Sequence, residues 1–433
     1  MMDPYQISLT IVLLLLFALT VRVETRVLAL GGFPFISFVG AYYFLFHGAI
    51  SSYVAAYVDH LPFPREISFE TFAYSAAFAG AVVAGLVIGV RLPFGALSRS
   101  DNLGVSRGQI RAASLLTALI MMSIHLSFYA FPVLSSLPSL PQLRAPSWNC
   151  AFAILSYWVL SGKRPWWVIA GLGLFLLFKF WLDSKVGLIT PLVFTCTIFA
   201  AASLLCKKFK LFLLSLLLGT IIVLGNGYIK SYSQVVLGDQ PQRLLYQFSS
   251  KFSASNILAS FNAAARRSSH SLVTEVALSK TPEHVAFSDH NPVADAFLNH
   301  IPRFLWRDKP REVLGNEFGK RYKILQPDDN KTSWNLPWAV DFFIAYGIYL
   351  AVVVSFSVNI VIGIGVRWMS RRSEREIGFG IYAAVLLPLF YQESNFSLMT
   401  GNFLSLFVVI YLIHQASKAA LNQVVKVTQA NPL

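Results

Sequence analysis

Apolar blocks of about twenty residues constrain this chain more than any other feature, because they decide which solvent it folds in. Phe72–Val90 and Ile110–Phe131 each have the length that crosses a hydrocarbon core of ~30 Å. Lipid offers no partner for backbone N–H and C=O groups, so such blocks must bond internally as helices. A transmembrane barrel would need alternating strands of about ten residues, and Leu13–Leu16 or Leu213–Leu218 do not alternate. Of the 433 residues, 55% are hydrophobic and only 13% charged, about half the charge of an ordinary soluble domain.

Eleven spans follow: Ile7–Val21, Val27–Phe46, Phe72–Val90, Ile110–Phe131, Trp148–Leu160, Trp166–Leu182, Val186–Leu205, Leu211–Tyr228, Phe342–Val366, Ile377–Phe390 and Leu398–His414. The expected fold is an all-α polytopic membrane protein organised as one membrane domain. Residues 1–228 carry helices one to eight, 229–335 form a large loop, and 336–433 carry helices nine to eleven and a tail.

Charge orients these spans. With the N-terminus outside, the connections assigned to the cytoplasm hold seventeen Lys and Arg, including Arg91, Arg99, Lys207, Lys208, Arg371 and Arg372. The short outer connections hold four: Arg65, Arg144, Lys179 and Lys185. This positive-inside bias predicts an outer N-terminus, an inner C-terminus and an outer long loop. It also accounts for much of the +14 net charge as membrane anchoring, which excludes a nucleic-acid partner as the reason for it. The first apolar run has no basic residues before it, so a cleavable signal peptide is not expected. Cys150, Cys196 and Cys206 fall inside spans as packing residues, with no disulfide or zinc spacing.

Ionisable residues are scarce at depth, where a transporter commonly keeps its ion-carrying groups. His125 is near a helix centre, whereas Lys179, Asp183, Lys185, Asp341 and Glu393 gather at the outer ends of spans. The long loop points to the same level. Leu244, Leu245, Phe248, Phe252 and Phe261 recur at near-helical spacing, predicting an interfacial helix that ends at Arg266 and Arg267. A second short helix is predicted from Asn291, as cap, and Pro292 to about His300. The densest basic stretch follows, with Arg303, Arg307, Lys309 and Arg311 around Trp306. Forked guanidinium groups bind phosphate bidentately, and tryptophan favours the membrane–water boundary. The loop histidines His270, His284, His290 and His300 have no regular metal spacing.

The stretches IPRFLWRDKP (Ile301–Pro310), GNEFGKRY (Gly315–Tyr322) and PWAVDFFIAYGIY (Pro337–Tyr349), with the hairpin LDSKVGLITPL (Leu182–Leu192), resemble bacterial oligosaccharide repeat-unit polymerases. These are the Wzy-type O-antigen and exopolysaccharide polymerases. One departure from that pattern is Asp341, where the family leads us to expect Glu.

The resemblance implies a fold similar to GT-C-type glycosyltransferases, in a bacterial inner membrane with the long loop in the periplasm. It implies glycosyltransferase activity on undecaprenyl-diphosphate-linked oligosaccharides, with no cofactor or metal. A flippase and a chain-length regulator of the same pathway are the implied partners. Arg266, Arg267, Arg303, Arg307, Lys309 and Arg311 are the candidates to hold the diphosphate, with Asp341 as base and His270 and His300 as alternative bases. Three other readings remain at the level of sequence: an O-antigen-ligase-like transferase, a transporter or flippase of lipid-linked sugars, and a non-catalytic scaffold.

Overall fold

A computed structural model describes residues 3–59, 61–92, 107–136, 140–162, 190–215, 217–219, 254–301, 314–329, 333–371 and 374–430, with the single residues 173 and 306. Among the described residues there are helices and no strands. The first long helix, α1, is Pro4–Ala29. It is followed by α2 (Ile36–Tyr42), a π-helical segment (Tyr43–Ala49) and α3 (Ile50–Tyr57), which run on from one another. Next come α4 (Phe69–Arg91), α5 (Arg107–Ala130), α6 (Arg144–Ser161) and α7 (Thr190–Leu205). The long loop contributes α8 (Ala254–Arg267), α9 (His270–Lys280), α10 (Pro292–Asn299) and α11 (Leu314–Arg321). The chain closes with α12 (Trp338–Ser370), α13 (Arg375–Val385), α14 (Phe396–Thr400) and α15 (Phe403–Ala430).

Among the described residues, five helical stretches are long and apolar enough to cross a membrane: α1, α4, Gly108–Ala130 of α5, α12 and Phe396–Val424. They turn large apolar side chains outward, among them Ile11, Leu15 and Leu19 of α1 and Tyr349, Val353 and Val361 of α12. A soluble protein would hide such a surface, whereas lipid accepts it. The chain is a helical membrane protein. Of the expected span Trp166–Leu182 only Gly173 is among the described residues, and Leu211–Tyr228 is helical where described, over 211–215 and 217–219.

Helices α1, α4 and α12 begin at one end of the bundle, here called the upper end. The Asp3 carboxylate, which caps α1, also accepts the Ile67 N–H just before α4 at 2.8 Å. The Tyr74 hydroxyl donates to the Ala339 carbonyl at 2.5 Å, pinning α4 to the first turn of α12. At the lower end, the Phe33 N–H donates to Ser370 Oγ at 2.9 Å. Between the two ends α4 and α12 touch backbone to backbone. A methyl group on Gly85 or Gly89 would overlap the carbonyls of Phe356 or Ile360, and one on Gly363 the carbonyl of Leu86. Small residues at helix spacing give close approach in lipid, where dispersion and polar contacts replace the hydrophobic drive.

The structure moves one turn. The expected break near Arg22–Arg26 is helical, and α1 ends instead at Ala29, capped by Leu30, after which Gly31 takes a φ of 78° and Gly32 packs against Val27. Glu24 is therefore a buried member of α1. Its carboxylate accepts the N–H groups of Phe35 and Ser37, both at 2.8 Å, and so caps α2. Also at the lower end, Glu374 is paired with His414 and Lys418, while Thr117 bonds the other ring nitrogen of His414 at 3.0 Å.

The loop helix α9 is not a surface element. His270 to Leu278 are all buried, and α9 packs against α3, α4, the π segment and α12. The expected helix at Asn291 is present, with Asn291 Oδ1 accepting the Ala294 N–H at 3.1 Å.

Candidate functional site

The site is built on the first turn of α12. Asp341 is fully buried there, and a bare carboxylate at 0% exposure would be costly without partners. It has two. Oδ2 accepts the N–H of Phe396, the first residue of α14, at 2.8 Å. Oδ1 lies 2.7 Å from Nε2 of His290. The other ring nitrogen of His290, Nδ1, lies 2.5 Å from the Ser288 hydroxyl. An ionised carboxylate can only accept, so with Asp341 ionised the ring proton sits on Nε2 and the Nδ1 lone pair takes the Ser288 O–H. The series hydroxyl–imidazole–carboxylate is the arrangement in which a histidine withdraws a proton from an alcohol while a carboxylate orients and stabilises it.

The backbone holds His290 at that spot. Inside α12, Gly347 has φ 72° and ψ 176°, a conformation almost confined to glycine. Beside this break the Ile344 carbonyl accepts the Ser288 N–H at 2.7 Å. Arg321 donates to the carbonyls of Ala286 and Phe287 at 2.5 and 3.2 Å, and the Tyr346 hydroxyl donates to the capping side chain of Asn291 at 2.5 Å. Segment 286–291 is thus clamped from α11 on one side and α12 on the other.

A second polar cluster lies at the same end. His270 opens α9 fully buried, with Nδ1 2.9 Å from the Tyr42 hydroxyl and its ring stacked on Phe46 at 5.3 Å. Burial, with His47 beside it, pushes the His270 imidazole well below its ordinary range, so it is neutral. His47 and Tyr43 come from the π segment, whose wider turn is a form that recurs at functional sites. Tyr43 donates to Gln392 Oε1 at 2.5 Å, and the Gln392 carbonyl accepts the Trp338 N–H at 3.2 Å. Next in the chain, burial pushes the Glu393 carboxyl up to about 7, while the Tyr391 hydroxyl and the Arg267 guanidinium act to lower it.

Of the residues singled out from sequence, Asp341 is joined to His290 rather than to His270 or His300. His300 donates from Nδ1 to the Ala296 carbonyl at 2.9 Å and accepts the Leu404 N–H at Nε2 at 3.4 Å, which ties α10 to α15. Arg266 and Arg267 end α8, donating to the carbonyls of Asp59 and Ser333 at 3.2 and 3.1 Å. Arg303, Arg307, Lys309 and Arg311 lie outside the described residues, as do Lys179, Asp183 and Lys185. The residue missed was His290. Its signal was its place immediately before the Asn291–Pro292 cap, which fixes the entry of the chain into α10.

No family model, curated protein or solved structure matches this chain.

Proposed function

We propose that this chain is a membrane glycosyltransferase that joins undecaprenyl-diphosphate-linked oligosaccharide repeat units into a polymer. The observation that carries the proposal is the buried Asp341–His290 pair with a hydroxyl at its far nitrogen. The motif resemblance at Ile301–Pro310 and Pro337–Tyr349 supports it from the sequence side. The seventeen-to-four charge asymmetry supports an upper end facing the periplasm of a bacterial inner membrane.

In this reading the hydroxyl of the acceptor sugar takes the place at His290 Nδ1 where Ser288 Oγ now bonds. Its proton passes to Nδ1, and its oxygen forms a bond to the anomeric carbon of the donor glycan. The bond from that carbon to the diphosphate breaks, and the electron pair leaves with the lipid diphosphate. Asp341 stabilises the imidazolium through Nε2–H. Arg266 and Arg267, with the loop cations Arg303, Arg307, Lys309 and Arg311, balance the charge on the leaving group. Energy comes from the diphosphate linkage already present, so no nucleotide donor is required.

The test is complementation of a strain lacking the chain. His290→Gln at normal protein level should leave single repeat units on the lipid carrier and reduce polymer at least a hundredfold, within the usual range for loss of a general base. Full-length polymer made by the Gln variant would remove His290 from the reaction. Finished polymer that accumulates on the carrier without onward transfer would favour a ligase, and repeat units held on the inner face a flippase.

A further inference from the structure

A cavity of about 360 Å³ opens at the upper end between α1 and α3, walled by Asp3, Gln6, Ser52, Tyr57, Arg65 and Glu66. We infer that this cavity binds the sugar rings of the glycan and not the diphosphate that carries it, an assignment that rests on the glycosyltransferase reading above. Its volume falls in the range of small-ligand sites, and its charge selects against phosphate. Among the described residues two carboxylates line it, whereas the one cation, Arg65, is already engaged, donating to Asp59 Oδ1 at 2.9 Å and to the Val58 carbonyl at 3.1 Å. Repulsion from Asp3 and Glu66 therefore disfavours an anion, while neutral hydroxyl groups lose nothing by it.

The walls also match what a sugar presents. Tyr57 is 65% exposed, with its ring held against Tyr53 at 5.5 Å, and Tyr53 is itself fixed by donating to Asn262 at 2.7 Å. That gives a flat apolar face for the C–H side of a pyranose. The Glu66 carboxylate is exposed and accepts no bond from the described residues, so it can accept from two neighbouring sugar hydroxyls. Asp3 is rigid, because it accepts the N–H groups of Tyr5, Gln6 and Ile67 at 3.1, 3.3 and 2.8 Å. The rim is continuous with the basic end of α8, since Arg266 donates to the Asp59 carbonyl at 3.2 Å. Glycan in the cavity thus has its diphosphate end within reach of cations outside it.

The experiment uses the full chain in detergent and two probes: the free oligosaccharide hydrolysed from lipid-linked repeat units that accumulate in a strain lacking the chain, and undecaprenyl diphosphate without sugar. Equilibrium binding of the oligosaccharide should weaken about tenfold or more in Tyr57→Ala and in Glu66→Gln. Ala56→Trp, which fills the cavity, should abolish it, with thermal midpoint and monodispersity confirming that each variant is folded. Undecaprenyl diphosphate should bind the three variants as it binds the wild type. No oligosaccharide binding by the wild type, or equal binding by all three variants, overturns the assignment. Loss of undecaprenyl diphosphate alone in the cavity variants overturns it in favour of a head-group site. Binding is read without turnover, so failure of the polymerase reading appears separately, as wild-type chain that binds glycan but makes no polymer.

Discussion

A carboxylate at the start of a helix has an ordinary explanation, the favourable end of its own helix dipole, worth about 0.3–1 kcal/mol. Asp341 is engaged differently: it receives the N–H of another helix, α14, and a histidine from the loop. The two roles separate on substitution. Asp341→Asn keeps shape and acceptor oxygen, so the Phe396 contact survives, but the amide cannot stabilise a charged His290. We expect intact protein and a loss of polymer approaching that of His290→Gln; near-normal polymer length and yield in the Asn variant would leave Asp341 with a packing role only. Asp341→Glu should fare worse than a like-for-like exchange suggests, because both carboxylate oxygens are already at bonding distance and an added methylene displaces one of them.

Glu393 gives a prediction in pH. Its folded-state value of about 7 lies above the ordinary 4.5, so between these limits the folded chain holds a proton that the unfolded chain has released. Stability from this group is complete below about 4.5, falls as pH rises toward 7, and is level above that. Glu393→Gln keeps an acceptor for Tyr391 and removes the titration. Its thermal midpoint in detergent should therefore fall less between pH 5 and 7 than that of the wild type, and parallel curves would contradict the assignment.

At the scale of elements, four glycines carry much of the geometry, three at one helix contact and one at a helix break. The α4–α12 pair closes on Gly85, Gly89 and Gly363, and Gly89→Ala forces a methyl group into the Ile360 carbonyl. Overpacking of this kind costs about 1–3 kcal/mol, so the thermal midpoint should drop. Gly80→Ala on the same helix meets nothing within 4 Å and should be neutral. Gly347 matters for a different reason. At φ 72° an alanine is strained by about 1–3 kcal/mol, and a helix that straightens there withdraws the Ile344 carbonyl from Ser288. Gly347→Ala should lower activity more than stability, with wild-type activity in a folded variant as the contrary result.

For the whole molecule the orientation is the open prediction. In a background with Cys150, Cys196 and Cys206 replaced by alanine, a cysteine at exposed Glu283, on the upper-end loop, should react with an impermeant thiol reagent in cells with a permeable outer membrane. A cysteine at exposed Arg371 should not. The opposite labelling would place the site on the cytoplasmic face and end the lipid-diphosphate argument.

Much of this architecture was legible from the chain alone, since hydropathy and charge are local properties that lipid reads locally. The cores of α1, α4, α5 and α12 lie where apolar runs put them, and Asn291–Pro292 starts α10 by cap chemistry confined to four residues. The turn after α1 was misplaced because Arg22, Glu24 and Arg26 read as a polar connection, while Glu24 owes its place inside a helix to N–H groups eleven and thirteen residues away. Helix α9 is buried on every side, so it shows no amphipathic face by which a loop helix is ordinarily recognised. Asp341 stood out in the sequence as an acidic residue at a span end, but its partner did not. His290 is 51 residues away, and only the break at Gly347 and the clamp from Arg321 bring the two together. Local chemistry determined which segments enter the membrane; which side chains meet at their upper ends was decided by packing between segments distant in the chain.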